Sequence, residues 1–351
     1  AKIATKNKVV VQETSGNITE LDTKNIIIAT GSHPSAIPGV NVDGEKILTF
    51  QQAILQEKLP ASVVIIGAGA IGLEFATLWN AYGSQVTLVE MLPAIAPLED
   101  SEVSAELAKA FSKRGVQIHV NTRVKTVETT DSGVKITIEN AEGEQVLEAE
   151  QALMAIGFRP NTQNLGLEEI GVELTERKFI AVDDDMSTNL EGVWAIGDVT
   201  GQLLLAHVAS KQGILCAEAI AKNEIEPIDY VMVPRATYCH PQVASFGFTE
   251  AQAKERYGNI KTGKFPFQAA GKALGLGDYA GFVKVITDEE GKLLGAHMVG
   301  PEVSELLPEL TLAQKNGLSI EQIADNIHAH PTLGETLMEA SEAALGKAIH
   351  I

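Results

Sequence analysis

Residues 63–72 read VVIIGAGAIG, an apolar run of strand-forming residues that leads into Gly67, Gly69 and Gly72. This spacing fits the G-x-G-x-x-G turn that joins a strand to a helix in nucleotide-binding folds. The first glycine permits the tight turn, the second lets a pyrophosphate approach the backbone, and the third lets the helix pack on the strand. Free N–H groups at the helix start then face the phosphate.

Glu90 ends the next predicted strand, 23 residues after Gly67. A carboxylate at this position accepts hydrogen bonds from the ribose hydroxyls of adenosine. Residues 91–108 contain no Lys or Arg, and the acids within them would repel the 2′-phosphate of NADP. The pattern predicts an NAD site, and the alternative is a structural glycine turn with a surface glutamate.

The segments around this turn predict an alternating order of strands and helices. Strands are expected at 63–66, 85–90 and 116–120, with helices from the glycine turn to about 82 and over about 100–114. Such a βαβαβ order forms a parallel sheet. From about residue 230 short strands come first and helices follow, which is typical of an α+β domain.

An internal repeat relates residues 8–31 to residues 134–157. Each copy is a β-rich stretch that ends in Ala-x-Gly, at Gly31 and Gly157, and continues to x-x-Pro. Only the second copy follows a βαβ unit, so we expect the sequence to begin inside a duplicated domain. The predicted fold is α/β, with Rossmann-like nucleotide-binding domains, one truncated, and a C-terminal α+β dimerisation domain. The alternative is a chance likeness of two hairpins.

The composition excludes several classes of protein. Of the 351 residues, 45% are hydrophobic and 21% are charged, as in globular chains, and the formal net charge of −19 disfavours nucleic acid. The longest nearly apolar run, 63–76, is too short to cross a membrane. Cys216 and Cys239 form no CxxC motif, which favours a cytoplasmic or organelle-matrix location. Cys216 lies in an apolar helical stretch and is expected in the core, and no redox role is expected for either cysteine.

A second candidate site begins at Gly197-Asp198, which follows the apolar stretch 193–196. This places a carboxylate at the carboxyl end of a strand, where open α/β sheets bind ligands. Asp198 can equally be a helix N-cap. A helix is predicted to begin within residues 205–209, which include Ala206.

The tail motif His328-Ala329-His330-Pro331-Thr332 leads towards Glu335. Pro and Thr suit the start of a helix, so both histidines should precede it and Glu335 should lie near its first turn. Glu335 can then orient His330 as a general base, with His328 the weaker candidate. The alternatives are a helix-capping histidine pair and a metal site, for which no third ligand is evident and which we do not predict.

Taken together, these motifs resemble the pyridine nucleotide–disulfide oxidoreductases over essentially the whole chain, and within that family the members that oxidise dihydrolipoamide. The resemblance implies binding of NAD and of FAD in the full-length parent. It assigns the NAD turn and ribose acid to Gly67, Gly69, Gly72 and Glu90, and the exit from the NAD domain to Gly157. Flavin contacts are implied for Thr30, Gly31, Gly197, Asp198 and Ala206, and the catalytic pair is His330 with Glu335.

The implied activity is the oxidation of protein-bound dihydrolipoamide by NAD⁺ through FAD and an enzyme disulfide. The implied organisation is a flavin domain over 1–45 and 161–229, an NAD domain over 46–160 and an interface domain over 230–351. Partners would be a second subunit, to which His330 is delivered, and the lipoyl groups of 2-oxo acid dehydrogenase or glycine-cleavage complexes. Two alternatives stay open: another NADH-linked flavoprotein reductase, and a non-catalytic, dimerising NAD-binding fragment.

The sequence departs from the family pattern in two features. It contains neither the first flavin-phosphate glycine turn nor the C-x-x-x-x-C redox pair. We therefore expect residues 1–351 alone to hold FAD poorly and to lack dihydrolipoamide-oxidising activity, because the reaction needs two sulfurs in disulfide geometry.

Overall fold

A computed structural model describes all residues, 1–351. They form two compact units, one of residues 1–35 with 157–230 and one of residues 36–156 with 231–351. None of the helices combines the length and the apolar character that a membrane crossing requires.

The chain contains twenty strands, most of them short, and ten α-helices. The strands are β1 Lys2–Thr5, β2 Lys8–Gln12, β3 Ile18–Asp22, β4 Ile26–Ile28, β5 Ser32–Pro34, β6 Ile47–Leu48, β7 Ser62–Ile66, β8 Gln85–Val89, β9 Gln117–His119, β10 Arg123–Thr129, β11 Val134–Asn140, β12 Gly143–Ala149, β13 Gln151–Met154, β14 Phe158–Pro160, β15 Val193–Ala195, β16 Arg235–Thr237, β17 Gln242–Gly247, β18 Lys261–Pro266, β19 Phe282–Thr287 and β20 Leu293–Gly300. The helices are α1 Phe50–Ala53, α2 Ala70–Ala81, α3 Ser101–Lys113, α4 Leu167–Ile170, α5 Ala206–Ile220, α6 Glu250–Tyr257, α7 Gly271–Leu276, α8 Val303–Lys315, α9 Ile320–Ala324 and α10 Glu335–Ala344.

The unit formed by 1–35 and 157–230 contains three small sheets. Strands β1, β2 and β3 form an antiparallel sheet, β4 pairs with β15 in parallel, and β5 pairs with β14 in antiparallel fashion. In β4 the side chains of Ile26 and Ile28 are buried whereas Ile27 is 45% exposed. This alternation is the period of two that a strand imposes, and it turns one face of β4 into the core.

The parallel sheet of the second unit has the strand order β6-β13-β7-β8-β9. Its β7-α2-β8-α3-β9 succession is the βαβαβ unit that the sequence predicts, and the predicted ends differ from the observed ones by a few residues at most. Buried side chains of β7, α2 and α3, such as Ile65, Leu73 and Leu107, share one apolar core. The glycine turn therefore lies at the carboxyl end of a central strand, as the sequence predicts.

The internal repeat is present in the structure. Strands β2 and β3 form an antiparallel hairpin, and β11 and β12 form its counterpart 126 residues later. The repeat ends, β5 and β14, pair with each other: His33 lies opposite Arg159, Ser32 opposite Pro160, and Pro34 opposite Phe158. The ends of the two copies thus meet in a symmetric register within one unit.

Residues 231–351 contribute an antiparallel sheet of order β16-β17-β20-β19-β18 with helices around it. Strands β17, β19 and β20 lie in the region from about residue 230 in which the sequence predicts short strands. Helices α8 and α10 pack against this sheet, and buried residues such as Phe246, Val283 and Leu337 form the core between them.

One polar row crosses the whole antiparallel sheet. Directly opposite residues of antiparallel strands share a face, and successive register partners are Arg235, Ser245, His297, Lys284 and Lys264. Every side chain in this row is basic or bears a hydroxyl group, and Ser245, His297 and Lys284 are buried. This face therefore needs acidic partners.

The segment that follows the NAD-type strand β8 supplies those partners. The ammonium group of Lys284 lies 2.9 Å from Asp100 Oδ1, 2.7 Å from Glu102 Oε2 and 2.7 Å from Glu250 Oε2. Asp100 also accepts the Glu102 N–H at the start of α3 and the Glu250 N–H at the start of α6. One carboxylate thereby caps two helices of different sheets, which joins the parallel and antiparallel sheets within one unit.

The pKa values in this cluster shift so as to keep all four groups charged. Burial alone would lower the pKa of Lys284, but hydrogen bonds to Glu102, Glu250 and Asp100 raise it above its usual value. Burial alone would raise the pKa of Asp100, but the Glu250 N–H and Lys284 hold it below its usual value. The cluster is therefore a paired, hydrogen-bonded arrangement, which is the condition for burying charge.

We expect Lys284→Met to lower the free energy of unfolding by about 3–5 kcal/mol, because removing one partner leaves carboxylates buried without a cation. Lys264→Met is the matched control: Lys264 contacts Glu102 but its side chain is 47% exposed, so its loss should cost at most about 1 kcal/mol. Urea unfolding of both variants measures the difference. Equal losses would contradict this account.

The same cluster predicts a pH dependence of stability. The folded-state pKa values of Asp100, Glu102 and Glu250 are lowered, so the stabilisation from these carboxylates is present above about pH 4. It is lost as the pH falls through the lowered values. In Lys284→Met this acid-dependent part of the stability should shrink, which urea unfolding at several pH values measures.

Candidate functional site

The three glycines of the turn have three different environments. Gly67 has φ +103°, and a Cβ atom there would lie 2.3 Å from the Ala155 carbonyl oxygen. A Cβ atom at Gly72 would lie 2.0 Å from the Gly67 carbonyl oxygen. At Gly69, by contrast, a Cβ atom would meet no heavy atom within 4 Å. The fold thus requires the first and third glycines, whereas the second faces open space, as a site for a pyrophosphate requires.

Helix α2 begins beside this open space. Its N-cap residue is Gly69, which has no side chain to satisfy the first N–H groups of the helix. Those donors and the helix dipole make the position suitable for an anion. The turn therefore fits the phosphates of a dinucleotide.

Glu90 is held beside the turn by two hydrogen bonds. Its Oε2 accepts the Ala68 N–H at 2.8 Å and its Oε1 accepts the Leu92 N–H at 2.9 Å. The residue is only 9% exposed, so it is not the surface glutamate of the alternative interpretation. Each carboxylate oxygen has a further lone pair, which suits it to accept a ribose hydroxyl.

The acids that follow Glu90 have partners within the fold. Asp100 and Glu102 are engaged by Lys284, and Glu99 is nearly buried beside His297. Glu106 lies 3.6 Å from Lys109 on α3. Asp100, Glu102 and Glu106 are thus paired with lysines inside the fold, and the repulsion of a 2′-phosphate stays a prediction. The prediction that the site prefers NAD to NADP then depends on Glu90 and on the lack of Lys and Arg in residues 91–108.

The Gly197-Asp198 motif forms a short 3₁₀ turn, Gly197–Thr200, after strand β15. Asp198 Oδ2 accepts a hydrogen bond from the Ser32 hydroxyl at 2.7 Å, and the Gly197 N–H donates to Gln212 Oε1 at 2.7 Å. Asp198 caps neither this turn nor α5, whose N-cap residues are Ile196 and Leu205. The N-cap alternative for Asp198 is therefore wrong.

Thr30 and Gly31 are tied to Asn161. The Thr30 hydroxyl donates to the Asn161 carbonyl oxygen at 2.7 Å, and the Asn161 side-chain amide donates to the Thr30 carbonyl oxygen at 2.9 Å. Gly31 has φ +71° and accepts the Asn161 N–H at 3.0 Å. The two segments that the repeat relates are thus fixed to each other at their ends.

Two further predicted positions lie in this unit. Gly157 has φ +101° and its carbonyl oxygen accepts the Ser35 N–H at 2.8 Å. Ala206 is the first residue of α5 and is exposed, so the predicted helix start is confirmed. Asp198, held by Ser32, and the exposed start of α5 fit a part of a flavin cofactor.

The tail motif has the predicted geometry. His330 Nδ1 lies 2.8 Å from Glu335 Oε1, and Glu335 Oε2 accepts the Thr332 N–H at 2.8 Å. Glu335 is the first residue of α10, and both histidines precede it. The His330 side chain is 75% exposed, so its Nε2 can accept a proton from a bound group. The arrangement is a base with its orienting carboxylate.

The carboxylate of this pair stays ionised. Burial alone would raise the pKa of Glu335, but the Thr332 N–H, His330 and His328 hold it below its usual value. An ionised Glu335 can accept the Nδ1–H of His330, which leaves Nε2 as the acceptor.

Cys216 is a core residue, as the sequence predicts, and Cys239 is buried as well. Cys216 is fully buried and Cys239 is 3% exposed. Burial, with Asp185 nearby, raises the pKa of Cys216 to about 11, and burial raises the pKa of Cys239 to about 12. Neither thiol is therefore a reactive thiolate near neutral pH. Across residues 1–351, no three His, Cys, Asp or Glu side chains form a group suited to a metal ion.

Three residues that shape these sites are not predicted from the sequence, namely Ser32, Asn161 and Gln212. Ser32 directly follows Gly31, and Asn161 directly follows Pro160. Both residues lie at the ends of the repeat copies, so the repeat could have pointed to them. Gln212 lies in the middle of α5, and nothing in its local sequence points to Gly197.

Models of known families match nearly the whole chain. Residues 1–213 match the pyridine nucleotide-disulphide oxidoreductase family, and residues 233–341 match the dimerisation domain of the same family. The chain belongs to this family. The predicted fold class, the enzyme class and the cofactors NAD and FAD are confirmed, and the dimerisation domain supports the predicted homodimer.

Individual proteins similar to this chain indicate which enzyme of the family it resembles. A dihydrolipoyl dehydrogenase of Mycobacterium leprae is 48% identical over 93% of this chain and 70% of its own length. Another from Mycobacterium bovis is 46% identical over 99% of this chain and 75% of its own length. The crystal structure of LpdA from Mycobacterium tuberculosis superposes with a TM-score of 0.90 at 29% identity, covering 97% of this chain and 74% of LpdA.

Substitutions in the glycine turn can separate its contribution to NAD binding from its contribution to folding. We expect Gly69→Ala to leave the free energy of unfolding within about 1 kcal/mol of the wild type, since the Cβ atom meets no protein atom. It should weaken NAD by at least about tenfold, because the methyl group occupies the approach of the pyrophosphate. Calorimetric titration with NAD and urea unfolding measure the two effects.

Gly72→Ala is the matched control. Its Cβ atom collides with the Gly67 carbonyl oxygen, so we expect stability and NAD binding to fall together. A Gly69→Ala variant that binds NAD as tightly as the wild type would refute this assignment of the turn.

Proposed function

We propose that the protein, when it carries FAD and the redox disulfide of its family, oxidises protein-bound dihydrolipoamide to lipoamide with NAD⁺. The observation that carries this proposal is the 2.8 Å contact between His330 and Glu335, because a thiol substrate needs a base to take up its proton. The relatives named dihydrolipoyl dehydrogenase support the same reaction. When bound, FAD and NAD supply the hydride transfer that ends on nicotinamide.

The role of the pair follows from its geometry. A dihydrolipoyl thiol gives its proton to Nε2 of His330, and the sulfur becomes a thiolate able to attack a disulfide. The imidazolium that forms is stabilised by the Glu335 carboxylate at Nδ1. Glu335 also fixes the loop through the Thr332 N–H, so the ring keeps one orientation. In the homodimer His330 would serve the active site of the partner subunit.

The redox disulfide of this reaction does not involve Cys216 or Cys239. Both are buried and their thiol pKa values are raised, so neither reaches a substrate as a thiolate. Buried, reduced cysteines fit a reducing compartment, and we place the protein in the cytoplasm or an organelle matrix.

We expect His330→Gln to lower the turnover of dihydrolipoamide by at least about 10²-fold in the flavin-loaded enzyme, the loss typical of a missing general base. Reduction of the flavin by NADH should change far less, since that step needs no thiol proton. Stopped-flow measurement of both half-reactions decides between the alternatives. His350→Gln, which removes an exposed histidine outside the pair, is the control. Equal losses in both half-reactions would assign His330 a structural role.

We further propose that the lipoyl group is presented by the core of a 2-oxo acid dehydrogenase or glycine-cleavage complex. The formal net charge of −19 suits a basic binding module on such a core. Binding of the dimer to a basic module should weaken steeply as salt rises, because screening shortens the range of the attraction. Sedimentation at several salt concentrations tests this, and binding that is insensitive to salt would exclude an electrostatic origin.

A further inference from the structure

The two histidines of the tail motif have opposite environments. His330 is 75% exposed and makes one contact through Nδ1, whereas the His328 side chain is only 8% exposed. His328 Nδ1 lies 2.9 Å from the Asn326 carbonyl oxygen, and its Nε2 lies 3.0 and 3.2 Å from the two Glu309 carboxylate oxygens. His328 therefore has no ring nitrogen free for a substrate.

These contacts determine the protonation of His328. Both partners of its ring are hydrogen-bond acceptors, a backbone carbonyl and a carboxylate. A neutral imidazole has one N–H and can donate to only one of them, whereas the imidazolium donates to both. Asn326 Nδ2 also donates to Glu309 Oε1 at 3.2 Å, so that oxygen acts as an acceptor for a second group.

This pair attaches the base loop to α8. Glu309 is on α8, and the chain runs from His328 to Glu335, the first residue of α10, in seven residues. Within the loop the Thr332 hydroxyl donates to the Ala329 carbonyl oxygen at 2.7 Å. A Cβ atom at Gly334 would lie 3.2 Å from the ring of His328, so the ring also packs on the end of the loop.

We propose that His328 is a positioning residue for the proposed dihydrolipoamide oxidation: as an imidazolium paired with Glu309, it holds the loop that presents His330. The loop that carries the base His330 is then held on both sides. Glu309 holds it through His328 before the base, and Glu335 holds it after the base. The proposal rests on the proposed function only for its catalytic consequence, since the charge of His328 can be measured without turnover.

The first test is an NMR measurement of the ring nitrogens in the ¹⁵N-histidine-labelled protein. At neutral pH His328 should show two protonated ring nitrogens, because both of its partners are hydrogen-bond acceptors. The loss of this signal in His328→Gln assigns it. A neutral His328 ring in the wild type at neutral pH would overturn the proposal.

The second test separates charge from shape. Glu309→Gln keeps the size of the side chain, and its amide can donate to Nε2 while Nδ1–H donates to Asn326. We expect the His328 signal to become that of a neutral ring protonated at Nδ1. Glu305→Gln, an exposed position one turn earlier on α8, should leave the signal unchanged. An unchanged signal in Glu309→Gln would also overturn the proposal.

The third test measures the consequence for the base. In the flavin-loaded enzyme, Glu309→Gln should lower kcat for dihydrolipoamide about tenfold, since small displacements of a catalytic group can cost up to about 10²-fold. NADH-driven reduction of the flavin should be unchanged in both Glu309→Gln and Glu305→Gln. If the signal changes but kcat does not, His328 does not position the base. A flavin-loaded wild type that contains the redox disulfide but does not oxidise dihydrolipoamide refutes the proposed function and leaves the ring-nitrogen result intact.

Discussion

The buried ammonium group of Lys284, shared by three carboxylates, is the interaction on which the larger unit depends. It links the antiparallel sheet to the start of α3, and Asp100 extends the link to α6. The segment that ends at Asp100 begins at Glu90, and within it the Ala96 N–H donates to the Ala68 carbonyl oxygen of the glycine turn at 2.9 Å. The nucleotide turn is thus connected through one short segment to a charge cluster in another sheet.

Both candidate sites use a carboxylate in the same way. Glu90 accepts the Ala68 and Leu92 N–H groups and retains lone pairs for a ribose, whereas Glu335 accepts the Thr332 N–H and the ring of His330. In each case one side chain fixes a loop and also serves the group that binds or reacts. Positions held in this way lose little further freedom when a substrate binds, which is the physical content of preorganisation.

The sequence predicts the parts of this molecule that local pattern controls. The βαβαβ order, the glycine turn and the His330–Glu335 pair all follow from spacings of a few residues. The polar row from Arg235 to Lys264 does not, because its members are neighbours only through the register of five strands. For the same reason the sequence does not show that Asp100 and Glu102 are paired with Lys284, because it does not reveal which way an acid faces.

The pairing of β5 with β14 has a consequence for how this sequence can change over evolutionary time. Duplicated segments usually diverge freely once each has its own surroundings. In this chain the ends of the two copies are each other's hydrogen-bond partners, centred on His33 opposite Arg159. A substitution in one copy therefore changes the contacts made by the other copy. The x-x-Pro ending common to both copies places Pro34 opposite Phe158 and Pro160 opposite Ser32, so each proline lies against the other copy.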